Sequence, residues 1–389
     1  MFQPSFSLAA KRGALYNAGR ALACTLGLAA FTPLGAQALS PSEALAHVRL
    51  AQEDVKTGQF ARATQRFKWL LLNDTDSPQR SKTYQAALLQ LTQKKPITFG
   101  ATGALMPSSN VARSSSESIL RTNLGDFTIG DPDAMKGGIG LRAEANGTYA
   151  HAYQGGREIA ATLRFNTSLY DAIELRQSGV NLTLAHHWLT PGATYTASAF
   201  AGRSVSPTID DRTSPNNWVK GGALSAGYVF ENGQSARVSG SWNERNYTNS
   251  QRHYANGTTA SLSARYTFPI GERGKITVLG GLSTADLGND SYSYSGQTLG
   301  GIYAQTQANG LSWSVGYSTS VRDYDDLFPL FSHARRDTSQ TISASISHNK
   351  IQINGATPRL SCASKHQTSN IALYIYNAVD CTLKFQFDF

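Results

Sequence analysis

Between Ile97 and Phe389 the chain alternates apolar and polar residues over runs of ten to thirteen, about twice the length of strands in soluble proteins. Along 258–268, Ala260, Leu262, Ala264, Tyr266 and Phe268 alternate with Ser261, Ser263, Arg265 and Thr267. Ile342, Ala344 and Ile346 do the same against Ser343, Ser345 and Ser347, as do Ile139, Leu141, Ala143 and Ala145 against Gly140, Arg142, Glu144 and Asn146. Each run has one dry face and one wet face. A tilted strand of this length crosses a bilayer, where only a closed barrel leaves no backbone group unpaired.

Fourteen such strands are expected, near 97–105, 138–150, 157–169, 179–189, 193–203, 218–230, 234–245, 258–268, 273–283, 298–307, 311–322, 338–349, 357–367 and 377–389. Their connections alternate between long (106–137, 204–217, 246–257, 284–297, 323–337) and short (190–193, 231–234, 269–273, 308–310). Outer-membrane barrels alternate in this way, with long loops outside and tight periplasmic turns. The final stretch CTLKFQFDF, with Leu383, Phe385, Phe387 and Phe389 on one face, is the expected closing strand. The alternative, a secreted β-sandwich or β-solenoid, explains strands of this length less well.

The composition fits. Only 16% of residues are charged, Gly is abundant at 35, and the +9 formal charge is scattered, without the basic and aromatic clustering that nucleic acid binding needs. Lys11, Arg12 and Arg20, the apolar run ALACTLGLAAF at 21–31 and AQA at 36–38 have the order of a secretory signal peptide, expected to occupy 1–38.

From Ser40 to Gln93 the period is helical, carried by Leu45, Val48, Leu50 and Val55, by Phe60, Ala63, Phe67, Leu70 and Leu71, and by Tyr84, Ala87, Leu88 and Leu91. The stretch 58–78 resembles a tetratricopeptide repeat, so 39–95 is expected to be a small periplasmic helical segment before a barrel over 96–389. Phe60, Phe67, Trp69 and Tyr84 are its candidate partner-contact residues.

Motifs for catalysis or cofactors are weak. The G-x-G-x-x-A spacing at 138–143 lies inside a strand with no helix after it, His186 and His187 point to opposite faces of a strand, and no G-x-S-x-G or H-E-x-x-H occurs. The expectation is no enzyme, no metal and no cofactor. Arg142, Glu144, Arg164, Arg237 and Arg265 fall at lumen-facing positions, either as a generic polar lining or as a substrate track. Cys362 and Cys381 fall on facing strands at the same parity, as a cross-strand disulfide or as two small wall residues. The connection 106–137, with Pro107, Asn110, Ile119, Leu124 and Phe127, is long enough to have a task; an inward plug or gate is expected, a disordered outer loop the alternative.

Several segments together resemble the surface lipoprotein assembly modulator (Slam) family of Gram-negative outer membranes. Residues 355–389, with Thr357-Pro358-Arg359, Ser369-Asn370-Ile371 and Tyr374-x-Tyr376, are similar to that family's closing hairpin. HARRDTSQTISASISH at 333–348 and MPSSNVARSSS at 106–116 resemble two further segments, although the helical piece is shorter than the family's usual several repeats. The resemblance implies a translocon, a monomer in outer-membrane lipid inserted by the barrel assembly machinery, that moves a client lipoprotein or secreted protein from periplasm to surface. A passive porin for small solutes is the competing expectation; it leaves the helices without a use.

Overall fold

A computed structural model describes residues 39–128, 137–171, 176–206 and 215–388, so the expected signal peptide and Phe389 lie outside the described residues. Three helices come first: α1 (Pro41–Lys56), α2 (Phe60–Asn73) and α3 (Pro78–Lys94). Ser40 starts α1 with a capping box: its hydroxyl accepts the Glu43 N–H, and the Glu43 carboxylate accepts the Ser40 N–H at 2.9 Å. Pro41 and Pro78 stand in first turns, where a missing N–H costs nothing. Ala44, Ala51 and Ala63 let the helices approach around Phe67, Leu70, Leu71, Tyr84, Leu88 and Leu91, which form one buried core.

The strands are β1 (Ile97–Ser108), the short hairpin β2 (Ile119–Thr122) and β3 (Gly125–Thr128), then β4 (Gly138–Gln154), β5 (Arg157–Tyr170), β6 (Arg176–Thr190), β7 (Ala193–Val205), β8 (Asn217–Val229) and β9 (Ser235–Tyr247). There follow β10 (Gly257–Ile270), β11 (Gly274–Leu287), β12 (Tyr294–Thr306), β13 (Leu311–Leu327), β14 (Ala334–His348), β15 (Arg359–Ser369) and β16 (Tyr376–Asp388). All except β2 and β3 form one closed antiparallel barrel of fourteen strands. β1 pairs with β4 on one side and β16 on the other, with Leu105 opposite Leu383 and Gly103 opposite Phe385.

The alternation sorts side chains as expected. Outward stand Leu141, Ile159, Phe165, Leu182, Leu224 (67% exposed) and Ile342 (60% exposed), an apolar belt that water would not tolerate and lipid does. Among the described residues no helix is long and apolar enough to cross a membrane; the crossing is made by strands.

Several boundaries differ from expectation. Strands expected at 273–283, 298–307, 311–322 and 338–349 occupy Gly274–Leu287, Tyr294–Thr306, Leu311–Leu327 and Ala334–His348, and the connections expected at 284–297 and 323–337 shrink accordingly. The ladder continues into a zone where Thr284, Asp286, Ser295, Asp323 and Arg336 occupy the outward parity. With both faces polar the period of two vanishes from the sequence, while backbone pairing persists.

Candidate functional site

The helices pack against one end of the barrel. Leu189, at the end of β6, joins the helical core, the Gly192 N–H donates to the Leu71 carbonyl at 3.3 Å, and Lys68 Nζ meets Glu158 Oε1 at 3.2 Å. The turn between β4 and β5 is Gly155-Gly156. A Cβ on Gly155 would come within 2.7 Å of Gln85 Cβ, and Gly156 has φ 76° and lies against the Leu189 carbonyl. Only glycine lets the helices sit this close. Gly155→Ala, which drives a Cβ against Gln85, is expected to loosen the docked helices by about 1–3 kcal/mol, read as faster proteolysis of 39–95 with the barrel's heat-modifiable mobility unchanged.

The helical core has a polar anchor. The Asp74 carboxylate accepts Arg80 Nε and Nη2 at 2.7 and 2.6 Å and the Tyr84 hydroxyl at 2.6 Å. Burial pushes the Asp74 carboxyl up, but the hydrogen bonds from Arg80 and Tyr84 outweigh it and hold its pKa below the ordinary value. Burial first, and then the bond to Asp74, push the Tyr84 hydroxyl up to about 12.

Of the candidate contact residues, Phe67 and Tyr84 are therefore core and present no surface. Phe60 is half-buried with Lys94 Nζ 4.8 Å from its ring centroid, while Trp69 is exposed and packs on His47 with ring centroids 4.4 Å apart. The alternating helical pattern could not separate these roles, because an aromatic on an inner face has the same spacing as one on a binding face.

Under the helices a crevice of about 240 Å³ is lined by Lys68, Glu158, His187 and Arg237 among others. His186 faces outward, bonded to the Tyr153 hydroxyl at 2.7 Å, so the adjacent histidines diverge as expected. Farther along the lumen Glu144 binds Arg142 and Arg164, each at 3.3 Å. Arg237 and Arg265 lie directly opposite each other on β9 and β10. Cys362 and Cys381 are register partners on β15 and β16 and are joined as a disulfide.

At the other end the connections fold on one another. Phe328, Phe331 and Ile371 are buried together with Leu120, Tyr292 and Tyr374 packed against them. Beside them Arg335 binds Asp337 and stacks on Tyr374, 3.1 Å from the ring centroid, and burial raises the pKa of the Tyr292 and Tyr374 hydroxyls. In the sequence, Ile371 and Tyr374 stand out only within the segment that resembles the Slam family's closing hairpin, and Arg335 and Asp337 only within the 333–348 segment; nothing there brings them together with Phe328 and Phe331.

The candidate gate is tied to the same mouth. Asn110 is buried and donates to the Asn377 carbonyl at 3.2 Å, Arg113 pairs with Asp380, and the Ser115 hydroxyl donates to the Ala372 carbonyl at 2.6 Å. Asn123 N–H donates to the Leu330 carbonyl at 3.1 Å. Pro107 belongs to the wall as part of β1, opposite Ile139, while Ile119, Leu124 (72% exposed) and Phe127 show their side chains on the hairpin. The described part of this connection is thus strapped to the connections at 328–333 and 370–375; residues 129–136 lie outside the described residues.

Residues 179–389 match the model of a family described as surface lipoprotein assembly modifier. No curated protein matches the chain. Among solved structures it is similar to a loop-deletion mutant of OmpT, an outer membrane protein of Vibrio cholerae, at 9% identity over 75% of this chain and 99% of that one, with a TM-score of 0.40. It is also similar to Salmonella typhi OmpF in complex with daunomycin, at 9% identity over 75% and 97% with a TM-score of 0.43. Pseudomonas aeruginosa OpdQ matches at 10% identity over 75% and 98%, with a TM-score of 0.38. At these values the likeness carries no weight on function.

Proposed function

Since the chain belongs to the surface lipoprotein assembly modifier family, its barrel standing in the bacterial outer membrane, we propose that it is a translocon that moves a client lipoprotein or secreted protein from the periplasm to the cell surface. In this reading the helical segment lies in the periplasm, acts like a short tetratricopeptide unit, and receives the client at the barrel mouth. The observation that supports it is the docking of α2 and α3 on the strand turns through Leu189, Gly192 and the Lys68–Glu158 pair, which sets the outer face of the helices beside one entrance of the lumen. A small-solute pore needs no such surface. Exposed Trp69, stacked on His47, is the part of that surface best suited to an apolar client segment.

A fourteen-strand wall is too narrow for a folded domain, so the client passes largely unfolded or the wall opens. Deleting residues 40–93 is the test. The expected result is loss of the client from the surface, by antibody labelling of intact cells, while the barrel still shows heat-modifiable mobility in the membrane. Unchanged surface client together with impaired solute uptake would favour the passive pore and end the export reading.

A further inference from the structure

Arg237 and Arg265 face one another across β9 and β10, and Arg359 faces Lys384 across β15 and β16. All four side chains are exposed and stand on the lumen face: Arg237 lines the crevice under the helices, and Arg359 donates to the lumen-facing Ser345 hydroxyl at 2.9 Å. Like charges directly opposite on neighbouring strands destabilise a sheet. Nevertheless, among the described residues none of the four has a carboxylate within ion-pair distance, whereas Arg142 and Arg164 share Glu144 and Lys68 has Glu158. The unbalanced cations are also placed alike. Each pair lies towards the open end of its hairpin, away from the connections at 248–256 and 370–375 and so at the end of the barrel where the helices dock, with Lys275 exposed at the start of β11.

Round the barrel the two pairs are separated by four strands one way and six the other, so they stand nearly opposite. Strands about 4.8 Å apart and tilted about 40° make a fourteen-strand wall roughly 28 Å across. Screening acts over about 8 Å at physiological ionic strength. A single small anion therefore feels one pair at a time, and only an extended molecule with several carboxylates engages both. Cations held in a low-dielectric wall without counter-charges concentrate such a ligand at the opening.

We infer that the helical-end mouth of the lumen is a binding site for an acidic, extended stretch of polypeptide, held between the Arg237/Arg265 and Arg359/Lys384 pairs. Resting on the export reading, this names the chemistry of the client segment that enters first.

The probe is a fluorescent oligoglutamate peptide, its binding to the full chain in nanodiscs measured by anisotropy. Wild type is expected to bind it in a salt-dependent way and to leave oligolysine unbound. Reversing both pairs, with Arg237→Glu, Arg265→Glu, Arg359→Glu and Lys384→Glu, is expected to weaken oligoglutamate binding by on the order of tenfold or more and to create oligolysine binding. Should that barrel fail to assemble, neutralising one pair with Arg237→Gln and Arg265→Gln gives a smaller loss, restored by Arg237→Lys and Arg265→Lys. Equal binding of the two peptides, or competition by monomeric glutamate as effective as by the oligomer at equal carboxylate, overturns the inference. If the reversed barrel loses oligoglutamate binding but still displays the client, the inference falls, because the client does not need the site. If wild type alone binds oligoglutamate while deletion of 40–93 leaves display intact, the acidic site stands and the export reading falls. If deletion of 40–93 abolishes display while the reversed barrel still binds oligoglutamate, export stands and the acidic site falls.

Discussion

Leu224→Arg is expected to destabilise the assembled barrel far more than the same substitution at the next residue, Ser225. Leu224 lies mid-strand in β8 with its side chain outward and 67% exposed, in the apolar belt beside Trp242 and Leu184. An arginine at the bilayer midplane of a barrel costs about 2–4 kcal/mol, a large fraction of the 5–15 kcal/mol by which folded proteins are typically stable. The neighbouring Ser225 points the opposite way, into water, so Ser225→Arg is expected to change stability by no more than about 0.5 kcal/mol. Urea unfolding in lipid vesicles, followed by heat-modifiable mobility, measures both. Equal costs at the two positions would mean that no hydrocarbon touches the outer face.

Asp74→Ala is expected to melt the helical segment while sparing the barrel. The Asp74 side chain is completely buried and is the acceptor for both Arg80 and the buried Tyr84 hydroxyl. Removing one partner of a buried ion pair typically costs about 3–5 kcal/mol; because the Arg80 side chain is 35% exposed and can return to water, about 2–3 kcal/mol is the better expectation. Three short helices with one small core have little reserve against such a loss. Protease sensitivity confined to 39–95 is the readout, and resistance equal to wild type would remove Asp74 as the anchor.

Acid should act on the same group. The native carboxyl ionises below its unfolded value of about 3.9, so the contribution is complete above about pH 4 and is lost as pH falls through the native value. At the alkaline end Tyr84 works in the opposite sense. Its native pKa of about 12 exceeds an unfolded value near 10, so stability declines as pH rises from about 10 towards 12.

Much of the wall was legible residue by residue. Alternation placed Leu262 and Tyr266 outward and Arg265 inward, and it set Cys362 and Cys381 at the same parity on facing strands, leaving to the register whether they meet. The helical period located α1 to α3 but not the use of their aromatics: Phe67 and Tyr84 went into the core and Trp69 stayed outside. The charges Arg237 and Arg265 were assigned to the lumen from parity alone. That they oppose each other, and that Arg359 opposes Lys384, follows only from the register of neighbouring strands.

By itself the sequence determined the barrel, because a period of two held over membrane-spanning lengths leaves one apolar face per strand, and in hydrocarbon closure is the way to pair every backbone group. Only the tertiary structure decided the two mouths. Closing β1 against β16 carries Asn110 to Asn377 across 267 positions of chain, and the Gly155-Gly156 turn admits Gln85 from the helices. Contacts of this kind join polar or irregular segments far apart in the chain, and such segments have no periodicity from which a partner could be read.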